Sequence, residues 1–297
     1  MMVSRMSNAQ QGVALVQVLI TTAIMMLLMI YFLTAAKSQI DHAKAMQDKT
    51  QAYLSHYSTN SAVLFRLLTS NPNDLIEEGW NFYGSPFEAN NDAIVEVQDL
   101  NGLISLATVS GPELIQSLLA QDINPSQAGA IANAMADWID LDDNERPGGA
   151  ESEYYASKGQ QIGNGPIQTF TELPFIRNMT YDAELVLMKY TTVHPTLFFN
   201  PMVAPQKVLS AYLNDAGMAE SLVSMRGSSM YSKDFIENET GLTAEDGLDY
   251  IQGPNYRITI NSKVGDSYYG KVLEYGLYPY ERDPVRVLSR LPLQQFE

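Results

Sequence analysis

Residues 12–36, GVALVQVLITTAIMMLLMIYFLTAA, carry no charge and restrict this chain more than any other feature. As one helix at about 1.5 Å per residue the run extends roughly 37 Å, enough to cross a bilayer. A short polar leader, MMVSRMSNAQQG, precedes it, with Arg5 as its one charged residue. A basic residue ahead of the span agrees with a cytoplasmic N-terminus. Everything after Ala36 would then lie on the far side, the periplasm in a Gram-negative cell. No Ala-x-Ala site follows the apolar run, which disfavours a removable secretory signal. The alternative is a cut after Gly12 that leaves Val13 as the new N-terminus of a retained membrane helix.

Beyond the span the apolar pattern changes from continuous to periodic. Ile40, Ala43, Met46, Thr50, Tyr53 or Leu54, Tyr57, Leu64 and Leu67/Leu68 recur at helical steps, with Asp41, Lys44, Asp48, Lys49 and Gln51 between them. The spacing predicts one helix from about Val13 to about Leu68, its first half in lipid and its second half packed on a soluble domain. The poor helix formers Ser58–Ser61 are a place for a bend, and Pro72 ends the helix.

A period of two follows at 93–99 and again at 103–107, flanking Asn101-Gly102, and predicts a hairpin with a tight turn. From Gly111-Pro112 the period is helical. The first segment holds Leu114, Ile115, Leu118 and Leu119. The second spans Gln127 to Ile139, with Ser126 as its cap. After a loop rich in Asp, Glu and Gly (140–166), helices are expected at 170–176, 182–190 and 205–214. Strands return at 256–264, 268–275 and 285–291. Strands on both sides of a helical block predict an α+β fold with an all-helical domain inserted into a loop of the sheet domain. The expected divisions are a leader (1–12), a transmembrane part (13–36), an amphipathic continuation (37–70), a sheet domain (71–110 and 199–297) and the inserted helical domain (111–198). The region 217–254 has no motif that places it.

Composition bounds the function. The net charge of −16 argues against nucleic-acid binding, which needs a basic surface to replace phosphate counterions. A faint helix-hairpin-helix look at 114–131 and 173–187 lacks the glycine-rich turn and sits among acidic residues. With no cysteine there are no disulfides, thiolate metal sites or cysteine nucleophiles. The three histidines, His42, His56 and His194, show no metalloprotease spacing, and no nucleophile elbow or phosphate loop is present. The chain is therefore not expected to be an enzyme.

Three motifs resemble the K-type minor pseudopilins of the bacterial type II secretion system. Gln11-Gly12-Val13-Ala14-Leu15-Val16 is similar to a prepilin processing site. Ala136-Asp137-Trp138-Ile139-Asp140-Leu141-Asp142-Asp143, followed by Gly149-Ala150-Glu151 and Tyr154-Tyr155, resembles the family's DWxDxDD…GAExxYY pattern and is the most specific. Thr171–Thr180 resembles ELxxIxGMT, with Asn178 where glycine is usual. The resemblance implies a pseudopilin sheet domain, cleavage after Gly12 by a prepilin peptidase and methylation of the Val13 amine. It implies an inner-membrane protein at the tip of the pseudopilus, assembled with I- and J-type minor pseudopilins above the major pseudopilin, that supports export of folded proteins. Gln17 stands where major pilins usually carry a Glu, which in hydrocarbon pairs with the N-terminal amine of a neighbouring subunit; a subunit with nothing above it can do without that carboxylate. A minor pilin of a type IV pilus shares the leader and helix but gives no reason for the acidic loop. A single-pass anchor with an unrelated periplasmic domain is a third reading.

That loop is the one place where a ligand is expected. Counted from Asp140, positions 1, 3, 5 and 12 are Asp140, Asp142, Asn144 and Glu151, oxygen donors in the order of a calcium-binding EF loop. Glu145 stands where that loop needs glycine. Calcium in the helical domain is also what the family resemblance implies. The expected set is Asp140, Asp142, Asn144 and Glu151, with Asp137 or Asp143 as substitutes, and the expected role is structural. The competing reading is a solvated acidic loop.

Overall fold

The computed structural model describes residues 8–90, 93–107, 111–196, 198–228 and 231–291. Leader residues 1–7, including Arg5, lie outside the described residues. Helix α1 (Asn8–Thr69) runs unbroken for 62 residues, through Ser58–Ser61 as well, where the Ser61 hydroxyl donates to the Tyr57 carbonyl. Its N-terminal part is long and apolar enough to cross a membrane and is uncovered by the other described residues. Asn71 then caps a new short helix, α2 (Pro72–Glu77), by accepting from the Asn73 N–H.

Strands β1 (Phe87–Asn90) and β2 (Ala93–Asp99) follow, then a 3-10 turn over Leu100–Gly102 and the short strand β3 (Ile104–Ser105). The helical block holds α3 (Pro112–Leu119), α4 (Pro125–Ile139), α5 (Ser152–Ser157), a 3-10 turn at Phe170–Phe175 and α6 (Tyr181–Tyr190). Strand β4 (Thr191–Thr192) comes next, then α7 (Gln206–Leu213), α8 (Ala216–Ser224) and α9 (Lys233–Thr240). The last elements are β5 (Asn255–Val264), β6 (Ser267–Leu277) and β7 (Val285–Leu291). The main sheet is antiparallel in the order β1-β2-β5-β6-β7. The α+β class with a long N-terminal helix is as expected from the sequence.

Period-2 alternation gives the sheet two different faces. Val95, Val97, Ile258, Ile260 and Tyr275 point to one face and are buried under the C-terminal half of α1. Glu96, Gln98, Arg257, Thr259 and Glu274 point to the other, where the helical block docks. The side of α1 that meets the sheet differs from the expected stripe. Ala52, His56, Thr59 and Val63 are buried, whereas Ile40 is 67% and Met46 75% exposed, and Tyr53, Leu54 and Tyr57 are also exposed. Only the end of the stripe, Leu64, Leu67 and Leu68, packs on the core. Ala52, Thr59 and Val63 are small enough to let helix and strands approach closely, with His56 buried among them. The large apolar side chains are left facing outward.

The hairpin expected around Asn101-Gly102 does not form. β2 pairs with β1 and β5, and β3 pairs in parallel with β4. Asp99 turns the chain by accepting from the Asn101 N–H at 2.9 Å, and its other oxygen accepts from the Gly253 N–H at 2.8 Å. Gly102 is needed for close approach: a β-carbon there would fall 2.6 Å from the Val203 carbonyl carbon and 2.9 Å from the Ala204 nitrogen. The cap of α4 also moves. Asn124 accepts from the Ser126 N–H and Pro125 opens the helix, so Ser126 is already inside it.

The helical core likewise reaches beyond the expected limits of 111 and 198. It runs from Leu100 through Leu103 and Leu106 to Val208, Leu209, Ala211 and Ala219. Helices α7 and α8 therefore belong to the helical block, because α7 lies against α3 and closes its apolar face. The segment without a motif, 217–254, contains part of α8 and all of α9, whose Ile236 is buried.

Candidate functional site

Helix α4 delivers the first acidic residues. Ala128, Ile131, Ala132, Ala134, Met135 and Trp138 bury one side of it. Asp137 lies next to that side and is fully buried. Asp140 is the C-cap, where the helix dipole is negative and a carboxylate is disfavoured unless a cation is near. The chain then loops out and returns through Gly148-Gly149 to Glu151 at the start of α5. Gly148 adopts φ +79°, and a β-carbon on Gly149 would fall 2.8 Å from the Asp137 carboxyl carbon. These glycines thus bring the returning strand directly against Asp137.

The loop is pinned on three sides. Asn133 Nδ2 donates to the Pro147 carbonyl at 2.9 Å, and Asn178 Nδ2 donates to the Gly148 carbonyl at 2.8 Å. Arg177 Nη1 donates to the Gly149 carbonyl at 2.5 Å and to Glu145 at 2.9 Å. The Arg177 N–H donates to the hydroxyl of fully buried Tyr155, whose ring meets Trp138 edge-on at 5.1 Å. Asn178 has φ +64°, the left-handed region that glycine tolerates best and asparagine next. That explains how Asn occupies the position where the resembling motif has Gly.

Asp137, Asp140 and Glu151 converge, each with an oxygen within 4.8 Å of the others. Arg146 Nη1 donates to Asp137 Oδ1 at 2.7 Å and to Asp140 Oδ2 at 2.5 Å, and the Arg146 backbone N–H donates to Asp137 Oδ2 at 3.1 Å. Glu151 is 5% exposed. Both its oxygens, and Asp140 Oδ1, are buried without a hydrogen-bond partner among the described residues. Desolvation, then repulsion from Asp137, Asp140, Asp143 and Asp142, pushes the Glu151 carboxyl up to about 7. Buried, unpaired carboxylate oxygens facing other carboxylates are costly unless a cation answers them. Three carboxylates and one guanidinium carry a formal −2, the charge a divalent ion balances, and a hard oxygen-only donor set fits calcium.

The EF-type ladder is only half present. Asp140 and Glu151 join the cluster, and so does Asp137. Asp142 instead accepts from the Asn144 N–H at 2.9 Å in an exposed local turn, so neither Asp142 nor Asn144 joins. Asp143 accepts from the Ser152 hydroxyl at 2.5 Å and contributes charge from the rim. The alternate-residue spacing of an EF loop assumes a tight loop with glycine at its sixth position. Here Glu145 stands there and the chain turns later, so the late residues meet the helix and not the early loop. Sequence spacing gave Arg146, Gly149 and Arg177 no role in the site, although Gly149 and Arg177 lie within the resembling motifs. Of the other named positions, Gly12 and Val13 lie within α1, and Gln17 is exposed on it.

A long helix, apolar enough at its N-terminal part to cross a membrane and packed by its C-terminal half on one face of an antiparallel sheet, with a helical block on the other face, defines an α+β protein with one candidate membrane span. Residues 99–196 match the family model for the type II secretion system (T2SS), protein K. The type II secretion system protein K of Klebsiella pneumoniae is 27% identical over 194 residues, which cover 59% of this chain and 60% of that protein. The chain thus aligns with under two thirds of that relative's length. A crystal structure of the GspK-GspI-GspJ complex from the enterotoxigenic Escherichia coli type 2 secretion system matches 86% of this chain and all of the compared chain. Its TM-score is 0.56 at 14% identity. Together these findings show that residues 99–196 are similar to a type II secretion system protein K domain and that the chain shares the fold of the compared structure.

Proposed function

We propose that this chain caps the type II secretion pseudopilus, initiates its assembly with I- and J-type minor pseudopilins, and supports export of folded proteins across the outer membrane. The observation that carries this reading is the union in one chain of an uncovered lipid-length helix and the protein K helical block at 99–196. Two further points support the tip. Gln17 offers no carboxylate to a neighbour's amine, and the block on the second face of the sheet adds bulk that opposes stacking of another subunit. The outward-facing Ile40, Met46, Leu54 and Phe65 of α1 offer an apolar stripe to adjacent pseudopilin helices. In this reading the chain is a structural subunit of the inner membrane with its globular part in the periplasm, and the major pseudopilin lies below it. The test is co-expression with I- and J-type pseudopilins and extraction in detergent. A stable ternary complex is expected; recovery of this chain alone, with I and J pairing without it, would overturn the reading.

Processing belongs to the same proposal. Prepilin peptidase is expected to cut after Gly12 and leave a methylated Val13 amine. Intact mass of the membrane-extracted protein should lack residues 1–12 and carry one added methyl. Gly12→Leu should abolish the cut, and a wild-type mass retaining the leader would refute it.

We assign calcium to the acidic loop as a structural ion, held by Asp140 and Glu151 with Asp137 beside them. Bound to the folded state alone, it would stabilise the protein by about 2.7 kcal/mol at a hundredfold excess over Kd. Because Glu151 has its carboxyl raised to about 7, calcium must displace its proton. Affinity is therefore expected to fall as pH drops below about 7. Thermal melts in chelator, millimolar calcium and millimolar magnesium check this. Identical midpoints in all three would return the loop to a solvated surface.

A further inference from the structure

We propose that Arg146 is a resident cation of the acidic site: it latches Asp137 to Asp140 without a divalent ion and lowers the affinity with which that ion binds. The proposal rests on the assignment of calcium to this loop.

The oxygens of the cluster divide into two sets. Arg146 holds three of them: its guanidinium takes Asp137 Oδ1 and Asp140 Oδ2, and its backbone N–H takes Asp137 Oδ2. Asp137, fully buried, is thereby paired on both oxygens. The other three, Asp140 Oδ1 and both oxygens of Glu151, are buried and have no partner among the described residues. Asp140 belongs to both sets, one oxygen on the arginine and one turned to the unpaired group. A divalent ion on the unpaired set therefore shares a carboxylate with the guanidinium.

An arginine cannot leave such a site by losing its proton. Its charge is permanent and acts in two opposite directions. Without calcium it neutralises part of the carboxylate repulsion at the C-terminus of α4 and keeps the loop folded back. With calcium it stands as a like charge within the same few ångströms and weakens binding. The same residue thus makes the helical block less dependent on the ion and the ion easier to lose.

The test uses the full chain in detergent, purified in calcium, with CaCl2 as the titrant in calorimetry and thermal melts in chelator and in calcium. Arg146→Gln should melt below wild type in chelator, show a larger calcium-induced rise in Tm, and bind calcium at least about tenfold more tightly. Arg282→Gln, which removes the same charge from an exposed position in the sheet domain, should behave as wild type. Arg146→Lys keeps the charge and should leave the calcium Kd within about threefold of wild type; it also reads the effect of charge if Arg146→Gln does not fold. Wild-type binding with an equal or weaker Kd in Arg146→Gln overturns the proposal and leaves the calcium assignment standing. Binding only in Arg146→Gln supports the proposal in its strongest form. No binding in either chain overturns both.

Discussion

Replacing Arg257 by Leu is expected to cost the globular part about 3–5 kcal/mol, the penalty for stranding a buried charge. Arg257 on β5 is 7% exposed and Glu274 on β6 is fully buried. Arg257 donates to Glu274 Oε1 from Nε at 3.0 Å and from Nη2 at 2.7 Å. Its remaining donors leave the sheet. They reach the carbonyls of Met188 at 2.8 Å and Lys189 at 3.0 Å in the last turn of α6, and that of Thr191 at 2.7 Å. Those carbonyls are among the ones a helix leaves unsatisfied at its C-terminus. Glu274 Oε2 accepts from the Ser289 hydroxyl and lies 3.0 Å from His194 Nε2. One ion pair therefore joins three strands to the helical block.

Urea or thermal unfolding checks the prediction. Arg257→Leu should lower the midpoint by about 10 °C, and the double replacement with Glu274→Leu should recover part of the loss because no charge is then left alone. A single replacement within about 1 kcal/mol of wild type would refute the clamp. The pH dependence has a definite sign. Burial pushes the Glu274 carboxyl up, but Arg257, His194 and Ser289 outweigh it and hold it at about 2 against an ordinary 4.5. Its folded-state pKa is depressed, so its contribution is present above about 4.5 and is lost as pH falls from there towards about 2. In Glu274→Leu that acid-induced component should be gone.

Gly102→Ala is the second large effect, expected to destabilise by about 3 kcal/mol, the upper part of the range for overpacking. The neighbours a methyl would meet are backbone atoms of Val203 and Ala204, and the local backbone is held on several sides. Gln98 Nε2 donates to the Val203 carbonyl at 2.9 Å, and the Asn200 N–H donates to the Asn101 carbonyl at 2.8 Å. Gly102→Asn separates this account from a hairpin turn. A turn needing positive φ would accept Asn; a site of close approach rejects it as strongly as Ala. Equilibrium denaturation in which Gly102→Asn is tolerated and Gly102→Ala is not would sink the close-approach account.

The two predictions mark where local reading stopped. Asn101-Gly102 between two alternating runs is a strong local signal for a hairpin, because turn chemistry depends only on a few neighbouring residues. What decided its structure was a segment a hundred residues later in the chain, which lies on Gly102 and donates from the Asn200 N–H to the Asn101 carbonyl. Arg257 and Glu274 read locally as alternate positions on two polar strand faces. Only the docking of α6 makes them a buried pair. The apolar stripe of α1 shows the same limit. Helical period identifies a face, but not whether that face meets the sheet, and the smaller residues Ala52, Thr59 and Val63 meet it instead.

What the sequence determined by itself was whatever depends on composition and short-range period. The uncharged run at 12–36 dictates a lipid-length helix because its backbone bonds close within the segment. The period-2 runs at 93–99, 256–264 and 268–275 dictate strands, and the strand–helix–strand order dictates an α+β class. The motif from Asp137 to Tyr155 was legible as a candidate site from its family resemblance and from oxygen donors spaced as in an EF loop. The tertiary structure alone decided which of them meet. Asp137, Asp140 and Glu151 converge because Gly148-Gly149 turn the chain back against α4, and Arg177 and Asn178, some thirty residues on, hold it there. Asp142 and Asn144 lie between them in sequence yet face solvent. Ligand sets are properties of distance in space, and a loop whose turn comes late brings residues together in an order that spacing along the chain does not encode.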